Sequence, residues 1–163
     1  MKTLFTCFMA ILLLTNCRNE KSEEQQNVQA ENPAPVVSEA EKTLDVPWIA
    51  VFNDSTQLLE IKKNPLAHPE KLNEQDIIDA LNLKFPEIKL EQVSRNGNIA
   101  IVQIKNANYL TEEMGSTGAQ AYLAEATYSL TEIIGISAVD FRFIAGDHAT
   151  PGILTRQSFE SFN

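Results

Sequence analysis

The sequence predicts a single α+β domain in which a mixed sheet carries two helices. Three observations predict it. Two β-rich runs, 88–95 and 98–105, flank Asn96-Gly97, a pair suited to a two-residue type I′ turn because both central residues need φ > 0. Apolar residues at Ala119, Leu123, Ala126, Leu130 and Ile133 recur at spacings of three and four, the signature of one buried helical stripe. Val139, Phe141 and Phe143 then alternate with Asp140 and Arg142, as on a strand with one face in the core.

Taken in order, residues 1–16 read as a targeting segment. Lys2 supplies positive charge and 4–14 an apolar core. About a dozen apolar residues are too few to span a ~30 Å hydrocarbon layer as a helix. The run ends in Leu14-Thr15-Asn16-Cys17, which resembles a bacterial lipoprotein processing site with Cys17 as the lipidated residue. The other cysteine, Cys7, lies inside the segment that processing removes, so Cys17 has no disulfide partner within its own chain. Residues 17–45 read as an acidic tether. They hold no aromatic residue and cannot bury enough apolar surface to offset the entropy of ordering.

The domain proper is assigned to 46–163. Trp48 to Phe52 is strand-like, Asn53-Asp54-Ser55 is a turn cluster, and 57–61 pairs back. Asn73 is the N-cap of a first helix whose first turn holds Glu74 and Asp76, matching the helix dipole. Leu72 and Ile77 are spaced for a hydrophobic staple, and Pro86 follows the helix end. The strand Ile99–Ile104 is apolar on both faces, so it is expected to be covered on both sides. A second helix is expected over 118–134, with Ser116 or Thr117 capping its start and Thr117 with Gln120 forming a capping box. Gly135 is placed to stop it in a left-handed conformation. A strand over 139–143 closes at Gly146-Asp147, and a last short strand falls around 153–156. The order is β-β-α-β-β-α-β(-β). Trp48 and Phe52 at one end, with Phe159 and Phe162 at the other, are expected to cover part of the second face of the Ile99–Ile104 strand. The remainder would be a docking surface.

Asn96-Gly97, then Ile99–Ile104, then Gly115-Ser116, then Leu130-Thr131-Glu132 with Gly135, then Val139–Phe143 and Gly146, resemble the GerMN domain of sporulation and spore-germination proteins. Ile133-Ile134 stands where that family has Phe-Pro. The resemblance implies structural glycines and core positions at Asn96, Gly97, Gly115, Ser116, Gly135 and Gly146 rather than chemistry. It also implies a binding or assembly role, in a domain type used by many bacteria that make no spores. The order of elements is similar to the ring-building modules of bacterial envelope assemblies.

No catalytic constellation, metal-ligand spacing or cofactor motif stands out. Past the targeting segment the reactive inventory is His68, His148 and Cys17, with no Gly-rich phosphate loop. Asp147-His148 reads as a solvated turn, and Ser116 as a helix cap rather than a nucleophile. The formal charge of −9 disfavours nucleic acid and electrostatic adhesion to anionic lipid. The expectation is therefore a non-catalytic cell-envelope module, held to a membrane through lipid on Cys17. It would dock on a protein or on peptidoglycan, with self-association open. The alternative is a tethered small-ligand-binding protein or hydrolase whose site is assembled from loops 105–115 and 146–152.

Overall fold

The computed structural model describes residues 44–162. The targeting segment, Cys17 and the tether up to residue 43 lie outside the described residues. Strands β1 (Trp48–Asn53) and β2 (Leu58–Lys63) form an antiparallel hairpin in register from Trp48↔Lys63 to Asn53↔Leu58. Asn53 shapes its loop, because Oδ1 accepts the backbone N–H groups of Ser55 at 2.9 Å and Thr56 at 3.3 Å. A 3₁₀ turn, Pro69–Lys71, leads into α1 (Glu74–Lys84). The cap at Asn73 is reciprocal: Asp76 N–H donates to Asn73 Oδ1 at 3.0 Å, and Asn73 N–H donates to Asp76 Oδ2 at 2.7 Å. Leu72 and Ile77 are both buried beside it.

β3 (Leu90–Asn96) and β4 (Ile99–Ile104) form the second hairpin. A single π-helical turn, Tyr109–Glu113, then runs into α2 (Gly115–Leu130). β5 (Ala138–Arg142) returns parallel to β4, and β6 (Gly152–Leu154) adds an antiparallel edge. The chain closes with two 3₁₀ turns, Arg156–Phe162, that meet at a kink at Phe159. The second sheet is thus mixed, in the order β3-β4-β5-β6, and β4-α2-β5 is the long crossover that parallel neighbours require. The α+β class is as predicted.

Several expectations are corrected. β1 and β2 make a sheet of their own and do not extend the four-stranded one. The outer edge of β1 is satisfied by side chains of α2: Ala50 N–H donates to Glu125 Oε1 at 2.8 Å and Trp48 N–H to Ser129 Oγ at 3.2 Å. The β3–β4 loop is Gly97-Asn98, not Asn96-Gly97, because Asn96 pairs with Ile99. Positive φ falls on Gly97 (+58°) and not on Asn98, the φ pattern of a type II′ turn. α2 starts three residues before the expected 118 and ends four before 134. No side chain caps its start, so the box of Thr117 and Gln120 does not form. The π-helical turn already delivers the chain to Gly115, whose φ of +74° makes the corner. Gly135 is left-handed as expected, at φ +85°, but it closes a run of turns beyond α2 rather than capping the helix itself.

The second half of α2 is buried all round, not along one stripe, while Ser116, Thr117 and Gln120 in its first half are exposed. Every residue from Tyr122 to Leu130 is buried, including Glu125, Thr127 and Ser129. It lies between the layers: Val139 and Phe141 of the large sheet join its core on one side, and the β1–β2 hairpin contacts it as well. Trp48 packs on Tyr128 with ring centroids 5.1 Å apart, and Phe159 follows at 6.5 Å. The two ends of the domain therefore cover α2, not the far face of β4.

Candidate functional site

β4 and β5 run parallel, so their C-terminal ends share one edge of the sheet. In open α/β sheets that edge is where loops build ligand sites. The loops that follow, 105–114 and 143–151, meet there. His148 N–H donates to Thr111 O at 2.9 Å, and Asp147 N–H to Glu112 Oε1 at 3.3 Å. Gly146 permits this crossing. A Cβ there would collide with the Glu112 carboxylate and come within 2.7 Å of Thr111 Cβ. Ser116, exposed in the first turn of α2, has its Oγ 3.1 Å from Nδ1 of the half-buried His148.

That contact is a hydroxyl beside a base. It differs from a catalytic triad in that no carboxylate among the described residues hydrogen-bonds the other side of His148. A cleft of about 230 Å³ opens nearby, lined in part by Lys105, Asn108, Glu112 and Ile144 but by neither Ser116 nor His148. The sequence alone marks Ser116 as a cap and His148 as a loop residue. The signal that joins them is topological: both follow parallel neighbouring strands.

The sequence-predicted positions fall into two groups at opposite ends of the sheet. Gly115, Ser116 and Gly146 gather at the loop edge just described. Asn96, Gly97 and Gly135 gather at the other, where Arg95 ties them together. Its Nε donates to Gly97 O at 3.0 Å, Nη2 to Gly135 O at 2.6 Å, and Nη1 pairs with Glu74 at 3.0 Å. Arg95 was not singled out from sequence. Cys17 lies outside the described residues.

The far face of the large sheet holds a different kind of surface. Ile99, Ile101 and Gln103 of β4 point to it, as do Asp140 and Arg142 of β5 and Ile153 of β6, by the alternation of their registers. Ile101, Asp140 and Ile153 form one cross-strand row. Asp140 and Arg142 pair at 3.1 Å, and Ile153 is 58% exposed. Val102, Val139 and Phe141, on the opposite face, belong to the core cluster; Ile101 lies outside that cluster but is itself buried.

Glu132, just beyond α2, has its charge set by several neighbours. Burial pushes its carboxyl up. The Trp48 indole N–H and Arg156, with Lys63 at 3.6 Å, more than reverse this and hold it below its usual 4.5. Among the described residues no group of three His, Cys, Asp or Glu side chains is placed to hold a metal ion, and no helix is long and apolar enough to cross a membrane. Comparison with known proteins finds no matching family model, no matching curated protein and no matching solved structure.

Proposed function

We propose that the chain is a lipid-anchored cell-envelope protein whose GerMN-like domain is a non-catalytic docking module for a protein or cell-wall partner. The observation that carries this reading is the far face of the four-stranded sheet. It presents the half-buried Ile99 and the 58% exposed Ile153 around one Asp140–Arg142 pair, with Ile101 buried beneath them, while the helices pack on the other face. An apolar patch rimmed by charge suits reversible protein contact. The resemblance described above supports a binding role, and the Leu-Thr-Asn-Cys17 run supports the anchor.

The test is crosslinking in the native envelope with the full-length chain as bait. Ile153→Asp should remove a specific crosslinked species without lowering the melting temperature. Cys17→Ala should move the protein out of the membrane fraction. An unchanged crosslinking pattern with Ile153→Asp would rule out the sheet face, and unchanged membrane partitioning with Cys17→Ala would rule out the anchor.

The alternative, a tethered small-ligand-binding protein or hydrolase with a loop-built site, draws support from the 3.1 Å contact between Ser116 and His148. It requires covalent labelling of Ser116 by a serine-directed phosphonate, lost in His148→Ala. An unlabelled Ser116 removes the hydrolase form of this alternative.

A further inference from the structure

Arg156 is held as if for a ligand. Its Nε donates to Thr131 Oγ1 at 2.9 Å, and its Nη2 donates to Tyr128 O at 3.0 Å and to Glu132 Oε2 at 2.5 Å. The guanidinium carbon lies over Trp48 and Tyr128, 5.1 Å from each ring centroid. Three of its five N–H groups are thereby used. The two on Nη1 have no partner among the described residues, and the side chain remains 38% exposed.

The same arginine lines a cleft of about 460 Å³ with Thr131, Ile136, Ser137, Thr155 and Gln157. That volume is in the range of small-ligand sites. The lining is rich in donors. The Thr155 hydroxyl and the Gln157 amide make no side-chain hydrogen bond among the described residues, and Ser137 accepts from Asn98 with its own proton left to give. In a chain of net charge −9, no carboxylate lines this cleft. With one cationic donor, several groups that can donate and no carboxylate in its lining, the cleft favours an anionic acceptor. A guanidinium already fixed on one edge loses little side-chain entropy when the other edge is used.

We propose that this cleft binds the free carboxylate of a short peptide, with Arg156 Nη1 as the charged donor, Thr155 and Gln157 as neutral donors, and Ile136 as the apolar wall. Glu132 stays on Nη2 and orients the arginine rather than being displaced. Because Glu132 already offsets the charge of Arg156, the affinity is modest, in the range of roughly millimolar. The cleft shares no residue with the sheet face assigned to docking, so either reading can fail without the other.

The experiment is an NMR titration of the full chain in detergent with N-acetyl-alanyl-alanine, in L,L and D,D forms, and with the corresponding C-terminal amides. The acid should give saturable shifts at Thr155 and Gln157 and bind about tenfold more tightly than its amide, as the loss of one charge-assisted bond implies. Preference for the L,L form marks a protein C-terminus as the source, and for the D,D form a cell-wall peptide. Arg156→Lys should abolish binding. Since Arg156 also supports the fold, Thr155→Val with Gln157→Ala is the companion variant, expected to weaken binding with an unchanged melting temperature. Equal binding of acid and amide, or no saturable shift with either acid, overturns the proposal.

Discussion

At the scale of a residue, Glu132 concentrates what joins the two ends of the domain. It accepts the Trp48 indole N–H at 3.0 Å and an Arg156 N–H at 2.5 Å, with Lys63 close by. Because its folded pKa lies below its unfolded value, it favours the folded state in full above about pH 4.5, and that contribution is lost as pH falls through the lower folded pKa. Urea midpoints measured between pH 7 and pH 3 should therefore drop more steeply for the wild type than for Glu132→Gln. Parallel curves would show that Glu132 carries no such linkage. Nothing in the sequence marked this role. Trp48 is 84 positions away, and an acid after a helix is usually a solvated one. What the sequence did show was the cap at Asn73, since all its partners lie within three residues.

At the scale of elements, local signals were legible and contextual ones were not. The β3–β4 hairpin was readable from its turn chemistry, but its loop lies one residue later, at Gly97-Asn98, because Asn96 is drawn into the ladder opposite Ile99; a bulge between Gln92 and Ser94 shifts the pairing again farther from the turn. Gly97 still bears the positive φ. Gly97→Val should cost about 1 kcal/mol or more in chemical unfolding, and more than His148→Ala, which gives up one side-chain hydrogen bond. Equal losses would count against the strained turn. α2 was readable from its period. The complete burial of its second half was not, because Glu125 and Ser129 look like surface residues until β1 supplies the N–H groups they accept. Of the candidate site, the glycines were visible, whereas the Ser116–His148 contact depends on the parallel pairing of β4 and β5.

At the scale of the whole molecule, Glu125 joins three elements. It is 2% exposed, accepts from Ala50 of β1, and receives both Nζ contacts of Lys84 of α1, at 2.7 and 2.8 Å. Glu125→Ala strands a backbone donor and removes the partner of Lys84, at a cost of about 3 kcal/mol. Loss of less than about 1 kcal/mol in denaturant unfolding, the net worth of one ordinary hydrogen bond, would show that the layers are held by apolar packing alone. The same arrangement has a temporal side. Trp48 is synthesised well before Glu125, Ser129, Glu132 and Arg156, which follow 77 to 108 positions later by their numbers. Until then β1 has only β2 to hold it, and an isolated two-stranded hairpin is marginal in water. The first strand of the described residues is thus among the last to be secured.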